Sequence, residues 1–234
     1  MTKKTIQIIS IFIFLFGFAS ASFGQDTFIG LKGGLLGAGL EIERSFTDTI
    51  CARVGVNYFP YDYSGTEDDI DYDFELQLLT LGAFLDWHPF KGSFKLTGGV
   101  LYNGNSLDAT GNSSTTFDIG DNTYPADQVG TLSGEIDFND FAPYVGLGWN
   151  TAFGKDGHWG FIFELGVMFQ GSPTADLSAT GPLASDPGFQ ADLAKEENNL
   201  QDDLDNFEYY PVISIGFNYR FLKNRNHLSV LNDI

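Results

Sequence analysis

The chain has 234 residues, a formal net charge of −19 and a single cysteine. An acidic excess of this size argues against nucleic acid as a partner, because phosphate contacts need a cationic surface. A single cysteine excludes an intrachain disulfide. The length is sufficient for one domain once a leader has been removed.

The first 24 residues have the three parts of an export signal. Lys3 and Lys4 form a basic start, residues 6–18 form an apolar core, and small residues at 19–24 offer a cleavage site. The apolar run is too short to span a bilayer comfortably as a helix, so we expect cleavage rather than a retained anchor. Cleavage would leave a mature chain with a charge of about −21.

Large apolar residues alternate with small or polar residues along most of the mature chain. Successive side chains of a β-strand point to opposite faces, so this alternation predicts strands with one apolar and one polar face. Each stretch approaches the roughly 9–11 residues that a tilted membrane-spanning strand needs. Seven stretches show it: 36–43, 50–58, 79–87, 94–103, 141–150, 161–170 and 209–221.

An eighth strand is expected before these seven. Residues 27–32 alternate in the opposite phase and precede a turn signal at Gly33-Gly34. One long first strand containing a bulge is the alternative. Barrels of the outer-membrane type contain an even number of strands, which favours eight over seven.

Three features favour a membrane barrel over a soluble one. The polar face is rich in glycine, which weakens an exposed strand but makes room for large neighbours inside a narrow barrel. Short connections (45–49, 89–92, 153–157) alternate with long ones (63–69, 106–134, 171–206), as periplasmic turns alternate with extracellular loops. Trp87, Trp149 and Trp159 all lie beside the short turns, where an interfacial aromatic girdle is expected. We therefore predict an all-β fold, a closed antiparallel up-and-down transmembrane barrel of 8 strands.

The C-terminal strand carries a family resemblance. Phe221 ends an alternating strand in the way that bacterial outer-membrane proteins end, and residues 27–221 are similar to small OmpA-like or OmpW-like barrels. Tyr124-Pro125 with Val129-Gly130-Thr131-Leu132, and Asp186-Pro187 with Phe189-Gln190, resemble a largely uncharacterised subset of these barrels. The resemblance implies a fold and an integral outer-membrane location, and gives little guidance on function. The predicted domains are a signal peptide (1–24), a barrel (25–221) and a short tail (222–234) that departs from the usual ending.

Acidic residues are concentrated in the long connections. Of the 31 Asp and Glu residues, 23 fall within 62–75, 108–140 and 176–208. Some share the parity of lipid-facing residues, so they would point outward among lipopolysaccharide phosphates, where Ca²⁺ or Mg²⁺ could bridge the two sets of anions. A solvated acidic surface is the alternative, and a bulge near Leu78 would undo the geometry. The candidate cation ligands are Asp69, Asp71, Asp73, Glu135 and Asp137.

The polar faces of the strands predict a cluster of charges inside the barrel. Four acids and three bases could pair into a packed plug, because eight strands leave an interior that side chains can fill. A narrow path whose charges select a solute is the alternative. The predicted members are Glu41, Glu43, Arg53, Asp86, Lys95, Glu164 and Arg220.

The last long loop has a helical pattern of its own. Asp186 can cap a helix that begins at Pro187 and ends near Asp205. Its apolar residues at helical spacing are Phe189, Leu193, Leu200, Leu204 and Phe207. We expect this acidic helix to be a lid that packs on Tyr72, Phe74 and Phe138; a loosely held surface helix is the alternative.

The sequence offers no catalytic arrangement. The three histidines, His88, His158 and His227, lie at the short-turn side or in the tail, and no loop Ser or Thr has a nearby histidine to activate it. The first hypothesis is a non-enzymatic barrel with a structural or surface-interaction role. A narrow porin for small or apolar solutes is the second, and a lipid-modifying enzyme or protease the third. Expected partners are outer-membrane lipids and lipopolysaccharide, with a monomeric chain, no nucleic acid, and no cofactor besides Ca²⁺ or Mg²⁺ at the loops.

Overall fold

A computed structural model describes residues 26–67, 70–155 and 157–221. The predicted signal peptide and tail lie outside these residues. Eight antiparallel strands close into a barrel, each pairing with two neighbours. They are β1 (Thr27–Gly34), β2 (Gly37–Ser45), β3 (Ile50–Glu67), β4 (Ile70–Trp87), β5 (Phe94–Asn103), β10 (Phe141–Asn150), β11 (Trp159–Phe169) and β13 (Tyr209–Phe221).

The first and last strands close the barrel. β1 pairs with β13 along its whole length, from Thr27 opposite Phe221 to Gly34 opposite Ser214. The predicted count of eight is therefore confirmed, and the single bulged strand is not formed. The turn lies at Leu35 and Leu36 rather than at Gly33-Gly34, because Gly33 and Gly34 are paired with Ala38 and Gly37 at the end of β1. Gly37 adopts a positive φ of 94° directly after the turn.

Two barrel strands, β3 and β4, continue beyond the barrel into an outer sheet at the end opposite the short turns. The outer half of the β3–β4 hairpin pairs with β6 (Ser106–Ser113), followed by β9 (Leu132–Asp137) and β12 (Thr174–Ala179). The β3–β4 register is continuous from Ile50 opposite Trp87 to Glu67 opposite Ile70, without a bulge near Leu78. Side chains therefore keep the same parity from the barrel into the outer sheet.

The outer sheet and three further elements form an outer domain with an apolar cluster of its own. These elements are the hairpin of β7 (Thr116–Ile119) and β8 (Asn122–Pro125), the short helix α1 (Ala126–Val129) and the long helix α2 (Pro187–Leu204). Asp186 caps α2 by accepting from the backbone N–H groups of Gly188 and Phe189, as predicted from the sequence. None of the helices in the described residues is long and apolar enough to cross a bilayer.

The contacts of α2 differ from the expected ones. Phe189 and Leu193 are buried against the β7–β8 hairpin and α1, and the Phe189 and Tyr124 rings meet edge to face at 5.0 Å. The helix also packs on β12, and the apolar cluster that holds it includes none of the three aromatic residues expected beneath it. Phe74 stays exposed on the sheet. α2 is thus an ordered part of the outer domain, held by a core of its own.

The outward face of the barrel wall is apolar. Large side chains such as Leu31, Leu85, Phe141 and Phe217 are more than 60% exposed on this face. A continuous exposed apolar band is unfavourable in water but matches a lipid environment. The girdle at the short-turn end includes ring contacts of Phe94 with Trp149 at 5.6 Å and of Trp159 with Tyr219 at 5.1 Å.

Inside the barrel, apolar side chains form two separate layers. The layer toward the short turns consists of Phe28, Cys51, Ala152 and Phe153. The layer toward the outer end consists of Leu36, Phe84, Leu101, Ala142, Tyr144, Met168 and Val212. Glycines make room for its rings, since a Cβ on Gly82 would overlap Phe84 and a Cβ on Gly166 would overlap Tyr144. Leu36, expected to face lipid, enters this layer because it lies in the turn.

Candidate functional site

Between the two apolar layers lies a charged layer centred on Arg53 of β3. Its guanidinium contacts three carboxylates: Nη1 lies 2.7 Å from Glu41 Oε2, Nε 2.9 Å from Asp86 Oδ2, and Nη2 2.7 Å from Glu164 Oε1. The fork of N–H donors on a guanidinium suits several carboxylates at once. Arg53 therefore joins β2, β4 and β11 across the lumen.

Two lysines complete the layer. Lys95 Nζ lies 2.8 Å from Glu164 Oε1 and 3.2 Å from Asp86 Oδ2. Lys32 Nζ lies 2.9 Å from Glu41 Oε2 and 3.2 Å from Glu164 Oε2. Three cations thus face three carboxylates, and the layer is formally neutral.

Neighbouring side chains fix the layer in place. Thr97 Oγ1 donates to Asp86 Oδ1 at 2.6 Å, and the Phe84 ring lies beneath the Arg53 guanidinium, 4.5 Å from ring centre to Cζ. The side chains of Arg53, Asp86 and Lys95 are at most 1% exposed. Buried charges are tolerated when they are paired and hydrogen-bonded, as they are here. The layer fills the lumen with mutually paired groups.

The charged layer differs in membership from the predicted one. The structure brings together Glu41, Arg53, Asp86, Lys95 and Glu164, and adds Lys32, which sequence reasoning missed. The sequence did contain evidence for Lys32. It lies an even number of residues from the buried Phe28 in β1, so both side chains point into the barrel.

Two predicted members lie elsewhere in the barrel. Arg220 lies at the short-turn end, where it pairs with Asp26 at 3.0 Å and donates to backbone carbonyls, because it comes next to last in β13. Glu43 lies one step from Glu41 toward the short turns and accepts from Asn150 Nδ2 at 3.1 Å.

The proposed cation ligands do not form a single cluster. Asp69 lies outside the described residues. Asp71, Asp73, Glu135 and Asp137 are exposed on the outward face, as their parity predicts. One strand, β6, separates the β4 pair from the β9 pair in the sheet order β4-β6-β9.

A different set of acids lies in register across the outer sheet. The strand pairing puts Asp62 opposite Glu75, Glu75 opposite Asp108, Asp108 opposite Glu135 and Glu135 opposite Asp176. We call these five carboxylates on adjacent strands the acidic row. Like charges directly opposite each other destabilise a sheet, and the nearby carboxylates of Asp137 and Asp108 raise the pKa of Glu135. Sequence reasoning missed the row because it depends on the register between strands that are distant along the chain.

The two described histidines do not form a catalytic arrangement with the outer acids. His88 is buried at the β4–β5 turn, and His158 lies in the β10–β11 turn, where its Nδ1 is 3.1 Å from the carbonyl oxygen of Arg220. Both are at the short-turn end, away from the acidic row.

Comparison with known proteins supports the fold. No family model and no curated protein sequence matches the chain. The crystal structure of Acinetobacter baumannii CarO2 is similar, with a TM-score of 0.54 and 19% identity over 84% of this chain and 98% of that chain. Acinetobacter baumannii CarO gives a TM-score of 0.50 and 21% identity over 85% and 97% of the two chains. Together with the closed wall and the exposed apolar belt, this similarity defines the class: the chain has the fold of a small, closed, eight-stranded antiparallel β-barrel.

Proposed function

We propose that this protein is a non-enzymatic outer-membrane barrel that acts through its outer surface and does not conduct solutes. The observation that carries this proposal is the filling of the lumen. A neutral layer of six paired charges lies between two apolar layers, so an ion or solute would have to cross all three.

Opening the lumen would cost free energy at the charged layer. Arg53 contacts three carboxylates, so moving its side chain aside leaves several buried charges without their central partner. Removing one partner of a buried ion pair typically costs about 3–5 kcal/mol. This penalty supports a permanently closed interior over a gated path.

Liposome swelling tests the closed lumen with neutral solutes. Vesicles containing the folded protein should swell in a small sugar no faster than protein-free vesicles. Boiled protein, reconstituted in the same way, controls for leakage caused by insertion defects. Swelling that depends on folded protein and becomes slower with larger solutes would favour the narrow porin instead.

For the outer surface, we propose that Ca²⁺ or Mg²⁺ bridges the outward carboxylates to lipopolysaccharide. The five acids of the acidic row lie on neighbouring strands, which are about 4.8 Å apart in a sheet. Repulsion at that spacing lies well within the Debye length of about 8 Å at physiological salt, so bound divalent cations would relieve it. Hard divalent cations prefer oxygen ligands of this kind.

Chelation tests the cation proposal. Removing divalent cations should speed tryptic cleavage near Lys195 in lipopolysaccharide-containing vesicles, because the outer sheet loosens before the barrel does. Replacing Glu75, Asp108 and Glu135 with their amides should abolish the chelator effect, whereas amides at Asp202 and Asp203 of α2 should leave it unchanged. If neither the chelator nor the mutations change the rate of cleavage, the acidic row is only a solvated acidic surface.

A further inference from the structure

A second group of polar side chains is buried at the short-turn end of the lumen. Glu43 of β2, Cys51 of β3 and His88, directly after β4, each offer a potential metal-ligating atom, and these atoms lie within 4.8 Å of one another. All three residues are at most 2% exposed. None of them takes part in the ion pairs of the charged layer.

The hydrogen bonds of these residues leave ligand atoms free. Nδ1 of His88 lies 2.8 Å from the carbonyl oxygen of Gly92, which can only accept, so Nδ1 carries the proton and Nε2 has a free lone pair. His88 Nε2 and Glu43 Oε1 are buried without a hydrogen-bond partner among the described residues. Unpaired buried acceptors are costly and need an explanation.

The histidine is also oriented as a metal ligand would be. Metal-binding histidines commonly donate their second ring N–H to a backbone carbonyl, which fixes the tautomer and the ring plane. Here the Gly92 carbonyl fills that role, and the Phe153 ring stacks on the imidazole at 3.6 Å between ring centres. Asn150 holds the other oxygen of Glu43, which leaves Oε1 to coordinate.

We propose that Glu43, Cys51 and His88 form a buried site for a divalent transition metal of the Zn²⁺ type. Nitrogen, sulfur and carboxylate oxygen are the donors that zinc takes, and three protein ligands leave its fourth position to water or to the Ser45 hydroxyl, 3.5 Å from Cys51 Sγ. Coordination converts the Cys51 thiol to a thiolate, and its proton leaves to solvent. A divalent cation, one thiolate, one carboxylate and a neutral imidazole sum to zero charge, which suits an apolar layer.

The site requires only a small contraction. A tetrahedral zinc with bonds of about 2.0–2.3 Å spaces its donors roughly 3.3–3.8 Å apart, so the three side chains would close by about 1 Å. A bound metal would clamp the β4–β5 turn to β2 and β3 at the short-turn end of the barrel. Because both apolar layers lie across the lumen, we expect the metal to enter as the barrel folds.

Cobalt substitution tests the site. Full-length protein without an affinity tag, refolded in detergent with Co²⁺ and freed of loose metal, should retain about one cobalt per chain and show a thiolate-to-cobalt band in the near ultraviolet. Cys51→Ala should abolish that band, and Glu43→Gln and His88→Gln should each lower the retained cobalt at least tenfold. His158→Gln, an exposed histidine at a neighbouring turn, is the matched control and should bind like the wild type.

Two results would overturn the proposal. One is a folded wild type that retains no cobalt, and the other is Cys51→Ala with an unchanged cobalt spectrum. Because a core variant can fail to fold, a measurement on the wild type alone stands beside them. Refolding with Zn²⁺ should raise the thermal midpoint and slow thiol labelling of Cys51 during unfolding, and neither effect should appear when a chelator is present during refolding. Labelling that proceeds at the same rate with and without zinc would equally contradict the site.

Discussion

At the scale of single residues, Arg53 is the central contact of the charged layer. Its guanidinium contacts Glu41, Asp86 and Glu164, and no other cation of the charged layer pairs with all three. Replacing Arg53 with Ala leaves three buried carboxylates with two lysines, so we expect a loss of about 3–5 kcal/mol in the free energy of unfolding. Urea titration in detergent micelles, followed by gel mobility, measures it.

A surface ion pair supplies the control for this prediction. Lys91 and Asp48 lie 3.6 Å apart at the short turns, with both side chains well exposed. Exposed pairs contribute about 0–1 kcal/mol, so Lys91→Ala should be nearly neutral. Equal losses from Arg53→Ala and Lys91→Ala would show that the charged layer contributes no more than a surface contact.

The outer acids predict a pH dependence of opposite sign to that of a paired carboxylate. Neighbouring Asp137 and Asp108 raise the pKa of Glu135, so the folded outer sheet disfavours its ionised form. Stability of the sheet should therefore fall as pH rises from the ordinary glutamate pKa through the raised one. In low salt without divalent cations, the protection factors of β9 amides, which divide out the intrinsic pH dependence of hydrogen exchange, should be higher at mildly acidic pH than at neutral pH. Glu135→Gln should remove much of this difference, and an unchanged pH profile would count against the coupling.

At the scale of secondary-structure elements, α2 is held by its buried apolar face. Phe189 is 1% exposed and belongs to the outer apolar cluster, whereas Phe207 just beyond the helix is 60% exposed. Phe189→Ala should cost about 3–5 kcal/mol of local stability and expose the helix to trypsin at Lys195. Phe207→Ala, the same substitution on an exposed ring, should leave cleavage unchanged. Similar cleavage of both variants would mean that α2 is only loosely attached.

The elements also show how far the sequence is informative. Period-two alternation predicted the barrel strands, and Asp186-Pro187 predicted the start of α2, because both signals are local. The turn between β1 and β2 was misplaced by two residues, since only the structure shows that Gly37 adopts the positive φ.

Contacts between distant segments were harder to predict than the elements themselves. The alternation of side chains correctly predicted that five residues of the charged layer face inward. It could not predict that Arg220 pairs with Asp26 at the short-turn end. The acidic row and the Glu43, Cys51 and His88 group join strands through their register, which no local pattern encodes.

At the scale of the whole molecule, barrel and outer domain are continuous. The β3–β4 hairpin runs unbroken from the short turns to the tip of the outer sheet, so the closed wall positions the acidic row beyond the barrel end opposite the short turns. The outer domain has its own apolar cluster, separate from the two layers of the lumen. Under the proposed function, the barrel supplies stability and the outer face supplies interaction.

Single-channel recording in planar bilayers tests the closed lumen most directly. The wild-type protein, shown to be folded by its heat-dependent gel mobility, should produce no stepwise conductance across a range of voltages and salt concentrations. Folded Arg53→Ala and Glu164→Ala proteins are recorded in the same bilayers for comparison. Reproducible wild-type conductance steps whose size changes in either variant would contradict the closed lumen and identify the charged layer as the lining of a pore.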